Sequence, residues 1–143
     1  MEQQIKKHFT LLLCAWLIAL CATLGALFIG EVMGQTPCTL CWYQRIAMFP
    51  LALILGIACS TNDFKIWQYA LPLALIGAGI ALWHSVLYAG IIPEPIVPCS
   101  RSGPSCTDAN MLLLNSIPLP YLSLLSFTSI SVLLSMIAKG KNS

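Results

Sequence analysis

Four long stretches of the chain carry no charged residue: Phe9 to Gly30, Ile46 to Asn62, Ile66 to Pro93 and Ala109 to Ala138. A charge at the centre of a bilayer costs about 2.5–3.5 kcal/mol on insertion scales, so uncharged apolar runs of this length mark membrane spans. A spanning helix needs about 20 residues. The second run reaches that length by starting at Trp42, with Tyr43 and Gln44 in its first turn. The fourth is longer than a span requires and contains Pro118 and Pro120. Proline suits the first turn of a helix, so the fourth helix is placed from near Pro120 to Ala138. The predicted spans are 9–30, 42–62, 66–92 and 120–138, with connections 31–41 and 93–119. Met111 to Ile117 (MLLLNSI) is left as a short apolar piece along the membrane surface, and Pro93, Pro95 and Pro98 stiffen the exit from the third span.

Composition agrees with this reading and removes others. The chain has 143 residues, 58% hydrophobic and 8% charged, with a mean hydropathy of +0.84. Soluble domains are about 25% charged, so a soluble globule is excluded, and so much apolar surface excludes disorder. The net charge is only +2, with no basic stripe to neutralise phosphates, which argues against nucleic-acid binding. Lys6 and Lys7 ahead of an apolar run look like the opening of a signal peptide. The run is longer than the 7–15 residues of a typical signal core, however, and is kept as a span. A lipoprotein site at Cys21 is disfavoured by the bulky Leu20 before it.

Positive charge sets the orientation. Lys6, Lys7, Lys65, Lys139 and Lys141 lie at the termini and the second connection; Arg101, with Arg45 at an interface, lies on the other side. Both termini are expected in the cytoplasm, and connections 31–41 and 93–119 outside. The expected fold is a single all-α membrane domain over residues 1–143, a four-transmembrane-helix bundle with two outward loops.

Orientation sorts the seven cysteines. Cys14, Cys21 and Cys59 fall inside spans and read as small apolar core residues. Cys38 and Cys41 fall in the first outward connection, Cys99 and Cys106 in the second, on the side where disulfides persist. Cys38-Thr39-Leu40-Cys41 is a C-x-x-C, a spacing common in redox proteins. Cys41 is placed at the start of the second helix, where free N–H groups and the helix dipole favour a thiolate. Arg45 lies one turn further on the same face, either as a fixed positive charge beside that thiolate or as an anchor to lipid headgroups. Cys99 and Cys106 bracket a hydrophilic loop and would by themselves fit a structural staple equally well. Two pairs in adjacent loops could instead pass a disulfide from one to the other.

His84 lies about 27 Å from the cytoplasmic start of the third stretch at 1.5 Å per residue, near the outer interface of a core about 30 Å thick. An ionisable residue inside a span is a functional candidate, set against a hydrogen-bonded structural role. Trp42, Tyr43, Trp83 and Tyr88 read as aromatic-belt anchors. Polar groups at lipid depth beside a reactive thiol point to a membrane-soluble electron acceptor such as a quinone.

The run Pro37-Cys38-Thr39-Leu40-Cys41-Trp42-Tyr43-Gln44-Arg45, the later pair Cys99 and Cys106, and four spans resemble the DsbB family of bacterial disulfide-forming membrane proteins, most closely its BdbC branch. The likeness covers essentially the whole chain. It implies a thiol oxidase in the bacterial cell membrane that reoxidises an extracytoplasmic thioredoxin-fold thiol oxidase (DsbA/BdbD-like) and passes two electrons to menaquinone or ubiquinone. By position, it implies that Cys38 and Cys41 face the quinone, with Cys41 in contact with the ring. Arg45 and His84 would then support quinone binding. Cys99 and Cys106 would exchange with the partner, with Cys99 forming the mixed disulfide; the short loop between them leaves the reverse assignment open. Vitamin K epoxide reductase relatives share four helices and a C-x-x-C but usually carry the motif late in the chain. A zinc-binding membrane protein using the four outward cysteines is a third class, although such sites usually use two C-x-x-C-like knuckles.

Overall fold

The computed structural model describes residues 1–34, 38–91, 112–113 and 116–142. Cys99, Cys106 and Arg101, and with them most of the second outward connection, lie outside the described residues. Helix α1 runs Glu2–Leu27 and ends in a single π-helical turn, Phe28–Val32. Helix α2 is Thr39–Thr61, followed by a short 3₁₀ turn, Phe64–Ile66, and α3, Trp67–Tyr88. Helix α4 is Leu119–Asn142. All four are long and apolar enough to cross a membrane.

The helix ends follow local chemistry. Asn62 takes the left-handed conformation that closes a helix C-terminus, and the Asp63 side chain accepts the Lys65 N–H, turning the chain tightly into α3. Pro120 falls in the first turn of α4, as its missing N–H requires. Charged Glu2, Lys6 and Lys7 lie within α1, which therefore starts well before the apolar run at Phe9. A charge limits what can sit in lipid, while the helix itself continues into water. The apolar piece expected along the membrane surface forms, at Leu112–Leu113 and Ile117–Pro118, a two-residue antiparallel ladder, β1 and β2. In it Leu112 faces Pro118 and Leu113 faces Ile117.

Each helix packs on its neighbours in sequence, and α1 closes on α4, giving an up-and-down bundle. The core is formed by Leu12, Ala15 and Ala19 of α1 and Leu51 and Leu55 of α2. Ala70, Ala74 and Ala81 of α3 meet Phe127, Ile130 and Leu134 of α4. Alanine and glycine along α3 let the backbones approach, the usual device where lipid removes any hydrophobic drive between helices. Large apolar residues such as Leu53, Leu75 and Leu125 are exposed, as suits an outer surface facing acyl chains. The hydroxyls of Ser126, Thr128, Ser129, Ser131 and Ser135 each bond the carbonyl four residues earlier, so α4 carries them without unpaired donors in lipid.

One sequence expectation changes here. Cys14 and Cys21 of α1 are exposed, and Cys59 is half-buried. Cys14 and Cys21 are therefore not core residues, whereas Cys59 packs against the core as expected. A helix that is apolar all round has no polar face to tell inside from outside. Gly77 lies buried within α3. A Cβ there would run into the Phe127 ring, so glycine lets α4 seat its largest core side chain against α3. Gly77→Ala is expected to lower stability by about 1–3 kcal/mol through overpacking, read as an earlier thermal unfolding midpoint in detergent. An unchanged midpoint would mean that Phe127 moves aside freely.

Candidate redox centre

Cys38 is the residue before α2 and Cys41 lies in its first turn, so the C-x-x-C opens the helix with its free N–H groups. Helical spacing brings the two sulfurs onto one face. Their Sγ atoms are 3.1 Å apart, in hydrogen-bond contact. Cys38 is buried against Leu40 and Leu87. His84 of α3 is fully buried, with its Nε2 3.8 Å from the Cys38 sulfur and its Nδ1 3.0 Å from Nε2 of Gln44. The donor in each contact depends on the imidazole tautomer.

The hydrogen bond from Cys41 is the largest influence on the Cys38 thiol. It outweighs the opposing cost of burial, His84 adds to it, and the thiol is pulled down to about 4. The thiol held low is that of Cys38, the residue before α2; the sequence reading favours a thiolate at Cys41. The helix dipole acts on both residues, and Cys38 is the one that meets His84.

Beneath this pair lies a cavity of about 560 Å³ between α1, α2 and α4. Its wall is mostly apolar, including Ile18, Ala22, Met48 and Leu122, with Cys41, Gln44 and Arg45 at the α2 side. The volume is that of an ordinary small-molecule site. The Arg45 guanidinium donates to the Ala26 carbonyl at 2.9 Å and lies 5.7 Å from the Trp42 ring centroid. Ala26 stands just before the π-helical turn at the end of α1, where the helix dipole is negative and carbonyls are available. Gly30 in that turn leaves room, since a Cβ would come within 3.1 Å of the guanidinium. Arg45 is thus clamped by α1 with its charge on the cavity wall.

The sequence-derived residues divide accordingly. Cys38, Cys41, Arg45 and His84 gather at one end of the bundle. Cys41 and Arg45 reach the cavity; His84 is not among its lining residues but backs Cys38 instead. The depth arithmetic fixed its height and could not fix which way the ring turns. Gln44 was missed as a functional residue. It is buried, touches His84 and lines the cavity; a buried amide inside an apolar helix is the only signal the sequence offered. Cys21, read as inert, also lines the cavity. Cys38, Cys41 and His84 could hold a metal, since their ligand atoms lie within 4.8 Å of one another.

A four-helix membrane bundle with a C-x-x-C at a helix start, above an apolar cavity, defines a membrane thiol oxidoreductase. The family described as disulfide bond formation protein DsbB matches residues 7–137. The chain is 57% identical over 131 residues to a probable disulfide formation protein of Metapseudomonas resinovorans, covering 92% of this chain and 91% of that one. It is 38% identical over 139 residues to disulfide bond formation protein C of Bacillus subtilis, covering 97% and 99%. A probable disulfide formation protein of Deinococcus radiodurans is 38% identical over 133 residues, covering 88% and 87%. No solved structure matches the chain. The chain belongs to the DsbB family: it is a multi-pass membrane oxidoreductase that generates disulfides. This membership sets aside the vitamin K epoxide reductase-like and non-enzymatic zinc-protein alternatives.

Proposed function

We propose that the protein draws electrons from an extracytoplasmic thioredoxin-fold dithiol and delivers them to a membrane quinone, menaquinone or ubiquinone. Both termini lie in the cytoplasm and both cysteine loops outside. The observation that carries this reading is that Cys41, hydrogen-bonded to Cys38, shares the wall of an apolar cavity with Arg45.

Cys99 and Cys106 are the pair that meets the partner. Their disulfide takes the partner's two electrons by thiol exchange, leaving an oxidised partner and a loop dithiol. One loop thiolate then attacks the Cys38 sulfur of the Cys38–Cys41 disulfide, and Cys41 leaves as a thiolate on the cavity wall. The second loop thiolate attacks the loop sulfur now bonded to Cys38, which re-forms the loop disulfide and frees Cys38. His84 beside Cys38 can hold the proton that this thiol gains or loses, and Gln44 holds the imidazole in place. The cavity residues fit a quinone: an apolar wall for the ring and chain, and one fixed cation. A quinone held there would supply the acceptor for two electrons and two protons. The Arg45 guanidinium supports an oxygen that gains negative charge, and Cys41 and Cys38 close again to the disulfide.

The reading is tested in proteoliposomes with a reduced thioredoxin-fold dithiol protein and quinone. One quinone is expected to be reduced per disulfide formed. Cys106→Ser is expected to accumulate a mixed disulfide with the partner through Cys99. Turnover without quinone loss would remove quinone as the acceptor. Trapping only through Cys106 in the Cys99→Ser variant would reverse the loop roles.

A further inference from the structure

We propose that the reduced Cys38–Cys41 pair and His84 form a binding site for a thiophilic divalent cation, zinc above all, which the disulfide state cannot hold. The inference rests on the pair reaching its dithiol state and is independent of which molecule accepts the electrons.

The donor set is two thiolates and one imidazole. This is the combination that zinc prefers, at about 2.3 Å to sulfur and 2.0–2.1 Å to nitrogen. In a tetrahedron with such bonds the donor atoms stand roughly 3.3–3.8 Å apart. Here Cys38 Sγ lies 3.1 Å from Cys41 Sγ and 3.8 Å from His84 Nε2, and all three donor atoms lie within 4.8 Å. The sulfurs would have to part by roughly 0.7 Å, and the Cys41 sulfur and the imidazole nitrogen to close by up to roughly 1 Å, shifts within reach of side-chain rotation. Cys38 and His84 are buried, so both ligands are fixed by packing rather than gathered from a mobile surface.

Charge and the surrounding polar groups favour the ion as well. Two thiolates and a divalent cation sum to zero, so the filled site places no net charge at the membrane interface. The start of α2 supports both thiolates through its dipole. Metal-ligating histidines are held by a hydrogen bond to their other ring nitrogen, and Gln44 already stands 3.0 Å from Nδ1. Turning the amide end for end presents its oxygen to an Nδ1–H and leaves the Nε2 lone pair for the ion. Three protein ligands leave a fourth position for water, as in zinc sites that stay open.

The exchange balances without any oxidant: two thiols and one Zn²⁺ give one bis-thiolate zinc site and two protons. A disulfide has no thiolate to offer, so binding is conditional on the redox state. While bound, the ion holds Cys38 and Cys41 reduced and takes their sulfurs from both the loop pair and the cavity. The site would act as a brake that closes only on the reduced enzyme.

The test uses the full-length protein in detergent, stripped of quinone, reduced with a phosphine and titrated anaerobically with Co²⁺ as a coloured stand-in, then with Zn²⁺. Wild type is expected to bind one Co²⁺ per chain, with sulfur-to-cobalt charge-transfer and intense tetrahedral bands that Zn²⁺ abolishes. The Cys99→Ser/Cys106→Ser double variant is expected to give the same spectrum, and the oxidised protein none. Cys41→Ser and His84→Ala are expected to weaken binding at least tenfold. Gln44→Leu, which keeps every ligand, is expected to weaken it about 10–100-fold. A spectrum lost in the double loop variant, equal in the oxidised protein, or unchanged in both His84→Ala and Gln44→Leu would overturn the site. No quinone or partner is present, so failed quinone turnover and failed metal binding are separate results.

Discussion

Cys38→Ser and Cys41→Ser are each expected to reduce quinone turnover to background while the protein remains inserted and monodisperse. Two electrons must leave through a disulfide-forming pair, and one thiol cannot form it. Serine differs from cysteine by one atom and keeps a hydroxyl at the hydrogen-bonding position, so the bundle should be little disturbed. The two variants should differ in what they trap. Cys41→Ser leaves the buried Cys38 to pair with a loop cysteine, whereas Cys38→Ser leaves a lone sulfur on the cavity wall. Cys14→Ala and Cys59→Ala should retain near-full activity, since neither residue touches the pair or lines the cavity. Wild-type turnover in either member of the pair, measured as quinone reduction, would remove Cys38 and Cys41 from the reaction.

Arg45→Ala is expected to raise the quinone KM at least tenfold. A hydrogen bond to a charged group is worth about 1.5–3 kcal/mol, and each 1.4 kcal/mol is about a factor of ten. The guanidinium is held in place by the Ala26 carbonyl and the Trp42 ring, so alanine removes a charge already positioned for the ligand. Arg45→Lys keeps the charge and loses the planar fork, and should fall between wild type and alanine. Exchange between the cysteine pairs should continue in both variants, because neither sulfur nor His84 is altered. An unchanged quinone KM in Arg45→Ala would leave Arg45 as a clamp between α1 and α2 only.

Much of this arrangement was legible in the sequence, for identifiable reasons. Charge exclusion from lipid is a strong constraint, so the four helices and the turn at Asn62 to Ile66 follow from where Asp63 and Lys65 fall. The C-x-x-C followed by Arg45 is a local pattern, and helical geometry places Cys41 and Arg45 on one wall. Other features depend on angles that an apolar helix does not encode. His84 could be placed in depth but not in rotation, and its ring turns to Cys38 rather than to the cavity. Cys14 and Cys21 could not be told from core residues because α1 is apolar on every side. Gln44 reads as an ordinary polar residue near a helix start until α3 brings His84 against it. The π-helical turn at Phe28–Val32 and the contact of Gly77 with Phe127 depend on tertiary packing alone. The lowering of the Cys38 thiol likewise needs the positions of both sulfurs and the imidazole.

Passage of electrons to quinone through the Cys38–Cys41 pair is open to test from the redox state of the outward cysteines in isolated membranes. With the reduced partner present, free thiols are alkylated with a mass tag before and after quinone depletion. Cys38 and Cys41 are expected as a disulfide when quinone is supplied. On depletion they should become tagged thiols, and return to the disulfide when quinone is restored. A Cys38–Cys41 pair whose oxidation state is the same with and without quinone would contradict it.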